Sequence, residues 1–215
     1  QKEIVKDNFN NNSDNLILPF ALGASSNHWD GDHFFAADSI LIFSSDRPGG
    51  YGGKDLYFSV LSKENTWSKA IKLGPNINSI NDEISPFLAR DGHTLFYSSN
   101  INYGMGGFDI YKAIFKDSTK KWSKRTNLGT PLNSAADDKN FIIANDALKA
   151  YFDSDRIEGK GGFDLYSAYF RDFIPEHLLS QQNNTFIEVL LDSSNLLVKN
   201  TRPRKNRYPR KTYNS

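Results

Sequence analysis

A six-residue stretch, Gly52-Gly53-Lys54-Asp55-Leu56-Tyr57, returns as Gly106-Gly107-Phe108-Asp109-Ile110-Tyr111 and again as Gly161-Gly162-Phe163-Asp164-Leu165-Tyr166. The aspartates are 54 and then 55 residues apart, and other landmarks keep the step: Trp67 returns as Trp122, Leu73-Gly74 as Leu128-Gly129, and Asn78-Ser79 as Asn133-Ser134. From Gly74 to Asp109 the second copy lies over Gly129 to Asp164 without a gap. A period of this length confines the chain to stacked arrays, because one such unit cannot bury its apolar face without its neighbours.

Within the second copy the apolar runs are 84–89, 94–98, 109–115 and 125–128, each of strand length and separated by turn residues. Asp91-Gly92 between the first two predicts a two-residue primed hairpin turn. Four sequential antiparallel strands per unit follow. The next connection is longer, at 46–54, 100–108 and 155–163, and its paired glycines are expected to supply backbone conformations that a β-carbon forbids. Asp55, Asp109 and Asp164 are expected to accept hydrogen bonds from amides of these loops. Tyr57, Tyr111 and Tyr166 share a strand face with those aspartates. Trp67 and Trp122 are expected at the entry to the fourth strand, covering a sheet edge.

Four-stranded antiparallel units at this period are the mark of propeller blades. The pattern Ser-Ser-Asp-Arg-Pro-Gly-Gly-Tyr-Gly-Gly-Lys-Asp-Leu-Tyr (residues 44–57), followed by Trp67, Leu73-Gly74, Asn78-Ser79 and Asp82-Glu83, resembles the WD40-like β-propeller repeat of the TolB type. Its glycine-rich form is similar to that of OmpA-associated envelope proteins and of a periplasmic propeller component of the type IX secretion system. The resemblance covers about residues 15–170. It implies an all-β fold, a β-propeller-type repeat array of four-stranded antiparallel blades, with a place in the periplasm or cell envelope near the outer membrane. The third copy departs from the pattern where Asn145-Asp146-Ala147 replaces Arg90-Asp91-Gly92.

The chain divides into a polar leader (1–14), a repeat domain (15–172, with blades at 28–73, 80–128 and 135–172), a hairpin or degenerate blade (173–198) and a basic tail (199–215). Residues 15–23 read as an outer strand of a preceding or shared unit. Three recognisable blades are fewer than a ring needs, and two bare faces forgo burial on the scale of a domain's whole stability. Three solutions are open: a piece of a longer propeller, a fourth blade assembled from 173–198 with 15–23, or two chains meeting at their open faces as a homodimer.

Composition narrows the function. No run of apolar residues is long enough to cross a membrane as a helix. The sole methionine is Met105, which fits an exported chain whose signal peptide has been removed, or a trimmed piece. Without cysteine there is neither a disulfide nor a thiolate metal site. The net charge of +1 conceals seven Lys or Arg and no acid in residues 193–215, which leaves 19 basic against 25 acidic residues elsewhere. Arg202, Arg204, Lys205, Arg207, Arg210 and Lys211 with Tyr208 and Tyr213 could touch nucleic acid or anionic lipid; a solvated tail is the favoured reading, and no nucleic-acid partner is expected. There is no Walker loop, G-x-S-x-G elbow or H-E-x-x-H pair.

The candidate chemistry lies in charged clusters. His28-Trp29-Asp30-Gly31-Asp32-His33 is the densest set of metal-ligand types, but only the first copy has these histidines, so a polar loop is expected and no metal or other cofactor. Asp82-Glu83 and Asp137-Asp138 precede the innermost strands and would gather at one mouth of a closed channel, where they could bind cations, basic peptides or a glycan. Their recurrence by symmetry speaks against the unequal environments that a catalytic pair requires. Arg47 and Arg156 follow aspartates at matching loop positions and are expected to clamp the glycine loop or face a ligand, Ile101 standing in the second copy. The residues thus lead to a non-enzymatic protein-binding or scaffolding module with a protein partner. The alternative is a carbohydrate-active propeller acting through the channel-mouth carboxylates on glycan, peptidoglycan included.

Overall fold

The computed structural model describes residues 24–36, 39–144 and 148–170. The leader, the strand expected at 15–23, the turn at 145–147, the segment 173–198 and the basic tail lie outside the described residues.

The described chain is all β and contains no helix. Its first sheet runs β1 (Asp30–Ala36), β2 (Ile40–Ser45), β3 (Asp55–Val60) and β4 (Ile71–Lys72) in sequence order, antiparallel throughout. The second is built from β5 (Glu83–Leu88), β6 (Thr94–Ser99) and β7 (Asp109–Lys116), with two short strands, β8 (Lys121–Trp122) and β9 (Thr126–Asn127), both paired to β7. The third has β10 (Asp138–Ile143), β11 (Lys149–Ser154) and β12 (Asp164–Tyr169). A Ser-Asp pair starts the long ladder of every sheet: Ser45 opposite Asp55, Ser99 opposite Asp109 and Ser154 opposite Asp164. Among the described residues these blade-like sheets lie side by side and no ring is closed.

Two local expectations need correction. The Asp91-Gly92 hairpin exists, but its turn is longer than two residues: Ala89 N–H bonds Thr94 O, Gly92 N–H bonds Ala89 O, and only Gly92 is left-handed (φ 64°). The cause is the Asp91 carboxylate, which accepts from the amides of His93 and Thr94 and from the Thr94 hydroxyl and so wraps the loop around itself. The fourth strand of the second unit is divided. Trp122 belongs to β8, opposite Phe115 and edge-on to its ring, whereas β9 pairs lower down with Tyr111 and Lys112. Trp67 bridges Leu61 ahead of β4 and packs with Ala70 against Leu41, Phe43 and Tyr57.

Burial explains the order of the sheets. β2, β3 and β6 are buried along their whole length, because both faces of each strand meet apolar neighbours. One core joins Ile40, Ile42, Leu56 and Phe58 of the first sheet to Leu95 and Tyr97 of the second. Another joins Phe96 and Ile110 of the second to Phe141 and Phe152 of the third. Such interiors respond to loss of volume at the junction between sheets. Leu56→Ala, at a fully buried position, is expected to cost about 2–5 kcal/mol, read as a lower urea midpoint at unchanged slope.

Candidate functional site

The repeated corner is held by a carboxylate. Asp55 Oδ2 accepts the Tyr51 amide (2.6 Å), Asp109 Oδ2 the Met105 amide (2.5 Å) and Asp164 Oδ2 the Lys160 amide (2.6 Å). Burial pushes the carboxyls of Asp55 and Asp109 up, while the loop amides pull them down in part. Tyr57 and Tyr166 bring their hydroxyls beside Gly50 and Gly159 in the same corners.

The glycine pair serves a purpose other than the expected one. Neither Gly52-Gly53 nor Gly106-Gly107 is left-handed; Gly49 is, at φ 89°. A β-carbon on Gly52 would collide with the Ile80 backbone, and one on Gly106 with the backbone of Ala135 and Ala136. On Gly53 and Gly107 it would strike the carboxylates of Asp82 and Asp137. The pair is therefore required by the chain that crosses from one sheet into the next.

That crossing absorbs most of the candidate carboxylates. Asp82 Oδ1 accepts the Lys54 amide (2.7 Å) and Asp137 Oδ1 the Phe108 amide (2.8 Å). Asp137 also pairs with Lys139 at 2.9 Å, whose ammonium lies over the rings of Phe108 and Phe163. Burial alone would raise Asp137; the Lys139 contact and the Phe108 amide outweigh it and hold the carboxyl below its ordinary value.

The next position inward is solved in two ways. Asp30, Glu83 and Asp138 each accept from a serine four residues earlier: Ser26, Ser79 and Ser134. In the first and third sheets an arginine completes the site. Arg47 donates to Asp30, to Ser45 Oγ and to the Ala24 carbonyl, while stacking on Phe43 and Tyr57. Arg156 repeats this with Asp138, Ser154 Oγ, and the carbonyls of Leu132 and Pro131, over Phe152 and Tyr166. The second sheet has Ile101 at that position, and its longer Glu83 reaches Ser99 Oγ directly (2.9 Å). The carbonyl contact is supplied from elsewhere, by Arg125 to Ile77 O (2.9 Å).

The pKa values follow from this difference. Burial would raise Asp30, but hydrogen bonds from Ser45, Arg47 and Ser26 hold it down. Glu83, fully buried and paired with no cation among the described residues, is pushed up to about 7 by burial, which the Ser79 and Ser99 bonds offset only partly. Arg125 was missed in the sequence because no other copy has an arginine there. The pairing of Asp30 with Arg47 and Asp138 with Arg156, against Glu83 with Ile101, was present in the sequence as the available signal.

The remaining candidates do not converge on them. Asp32 is exposed and left-handed (φ 44°). His28 faces Asp46 at 4.0 Å and His33 lies edge-on to Phe35. Among the described residues no three His, Asp or Glu side chains gather as metal ligands. A cleft of about 200 Å³ beside Asp30 is lined by Ser25, His33, Leu41 and Phe43.

No protein-family model and no curated protein matches this sequence. Among solved structures an α-L-arabinofuranosidase from Lactobacillus brevis is similar, at 14% identity and a TM-score of 0.40, over 69% of this chain. The match spans 55% of that enzyme, and at this score it supports no conclusion about fold or chemistry.

Two outcomes test the buried sites. Glu83 carries a folded-state pKa near 7 against 4.5 when exposed, so its contribution to stability is complete below pH 4.5 and lost as the pH rises through 7. The stability of the natural protein minus that of Glu83→Gln is expected to fall by about 3 kcal/mol between pH 4.5 and 8 in urea titrations. Arg156→Ala strands the fully buried Asp138 carboxylate and should cost about 3–5 kcal/mol. Adding Asp138→Glu to Arg156→Ile, which copies the second sheet, should recover part of that loss.

Proposed function

We propose that this chain is a non-enzymatic protein-binding or scaffolding module of the cell envelope, a β-propeller-type array that displays its glycine loops to a partner protein. The observation that carries the reading is the contrast between the two ends of the corner. Inside, the charged groups are consumed by the fold: Glu83 and Asp138 are fully buried, and Asp82 and Asp137 accept backbone amides. Outside, the loop tips present apolar side chains to water, Tyr103 at 98% and Ile157 at 95% exposure, with Tyr51, Met105 and Phe163 also exposed. Loops fixed on a rigid frame are the usual place for recognition, and aromatic and methionine side chains are favoured in the centre of protein interfaces. A glycan hydrolase would instead need a pair of carboxylates free to face the sugar.

The resemblance of the repeat to TolB-type envelope proteins supports a location in the periplasm, next to the outer membrane and an assembly such as a secretion system. No helix among the described residues is long and apolar enough to cross a membrane. A photo-crosslinking residue at Tyr103 or Ile157, in the full chain within its host, is expected to give adducts with one defined envelope protein, and one at exposed Lys63 none. Tyr103→Ser with Ile157→Ser should remove those adducts from a crosslinker at Tyr51 and change stability by less than about 0.5 kcal/mol. Turnover of any member of a glycan panel by the purified chain would overturn the proposal.

A further inference from the structure

The third sheet repeats the corner but lacks the chain that crosses it. In the first two sheets a β-carbon on Gly52 or Gly106 would collide with that chain, yet one on Gly161 or Gly162 would meet nothing among the described residues, and neither glycine is left-handed. Leu56 and Ile110 are 0% exposed, whereas the matching Leu165 is 73% exposed. Among the described residues β12 is the edge of its sheet, paired with β11 on one side only.

The two occupied corners show the chemistry that the third is shaped to take. In the first, the Gly53 amide donates to the Asn81 carbonyl (3.2 Å), the Lys54 amide to Asp82 Oδ1 (2.7 Å) and the Leu56 amide to Asn78 Oδ1 (2.9 Å), while the Leu56 carbonyl accepts from Asn78 Nδ2 (3.0 Å). In the second, Gly107, Phe108 and Ile110 are held in the same way by Ala136, Asp137 and Asn133, at 3.2, 2.8, 2.8 and 2.9 Å. An apolar residue precedes the asparagine each time: Ile77 in the core that holds Leu56, and Leu132 against the core that holds Ile110. At the third corner the amides of Gly162, Phe163 and Leu165 and the Leu165 carbonyl meet no such group among the described residues. A bare strand edge is a template for another extended chain. The Lys139 ammonium, 4.4 Å from the centre of the Phe163 ring, puts positive charge where the carboxylate would arrive.

The described residues of a second copy do not offer the required pair. Asn78 with Asp82 and Asn133 with Asp137 are used inside the molecule. The segment that enters β1 is built like theirs, with Ser26 bonded to Asp30 and Arg47 to the Ala24 carbonyl. In it, however, Ser25 and Trp29 stand at the places of Asn78 and Asp82.

We propose that the third corner, Gly161 to Leu165, docks an extended segment of a different protein, one that carries an apolar residue, then an asparagine and, four residues further, an aspartate. The segment adds along the edge of β12, its carboxylate taking the Phe163 amide and its carboxamide clamping the Leu165 main chain. This contact does not rest on the loop tips, whose crosslinks test them separately.

A peptide of residues 73–83, whose sequence fills the first corner, is the probe, added to the isotope-labelled full chain and followed by NMR. The Phe163 and Leu165 amides are expected to shift to saturation. Asn78→Ala or Asp82→Ala in the peptide should each weaken binding about tenfold. Gly161→Ala in the chain should abolish binding and leave the urea midpoint unchanged, since its β-carbon fills only space that the incoming backbone needs. Gly106→Ala, under a crossing already present, should lower the midpoint. No shift at Leu165, or binding that survives Gly161→Ala, overturns the proposal. A lowered midpoint for Gly161→Ala also overturns it, in favour of the remainder of the chain, and a Leu165 shift that grows with protein concentration without peptide overturns it in favour of a second copy.

Discussion

The structure depends on one hydrogen bond made three times, from a loop amide to the first aspartate of the third strand. Tyr51, Met105 and Lys160 each donate to that carboxylate, which draws a nine-residue connection down over the end of its own sheet. A carboxylate accepting a main-chain N–H makes a charge-assisted bond, stronger than one between neutral groups. With the loop held flat, the incoming chain can pass close over it, and closeness excludes a side chain at two consecutive positions. Glycine is found there for lack of volume and not for freedom of φ. The corner thus couples local turn chemistry to the placement of the following sheet.

The inner acid shows how much variation this frame accepts. Asp30 and Asp138 are short, leaving room for a guanidinium that neutralises them and stacks on two rings. Glu83 is one methylene longer and reaches the serine by itself, with isoleucine filling the place of the arginine. Both solutions satisfy the oxygens, but only the first supplies a compensating charge, and burial pushes the Glu83 carboxyl up to about 7. A protein could shift its stability with pH by exchanging these two solutions without altering the fold.

Much of this was legible in the sequence. Alternating apolar runs and turn residues located the first three strands of the second unit to within a residue or two: 84–89 against Glu83–Leu88, 94–98 against Thr94–Ser99, and 109–115 against Asp109–Lys116. The aspartate corner was legible because a short acid after paired glycines has few other partners. The reason for the glycines was not, since close approach depends on residues about 30 positions away and leaves no local signature. The two-residue turn at Asp91-Gly92 failed because a side-chain acceptor competes with the backbone pattern. The role of Arg125 was hidden for a similar reason: the carbonyls it satisfies are 47 or more residues distant in the chain.

The inner strands show why the sheets can stack at all. β1, β5 and β10 each slip register at the same point, between Gly31 and Phe34, Ile84 and Phe87, and Lys139 and Ile142. Asp32, Ser85 and Asn140 stand there with φ of 44°, 52° and 56°. A left-handed residue other than glycine costs roughly 1–3 kcal/mol, least for short polar side chains. The extra residue bends its strand and increases the twist. Part of the cost is recovered between sheets, where the Ser85 hydroxyl donates to Asn140 (2.6 Å) and Asn140 in turn donates to Asp153 (2.7 Å). Two residues beyond the bulge, Phe34 meets Phe87 edge to face at 5.2 Å, carrying the aromatic contact across to the neighbouring sheet. A straight inner strand would keep strict alternation through this point, so the three repeated bulges set which side chains each inner strand turns toward the neighbouring sheet.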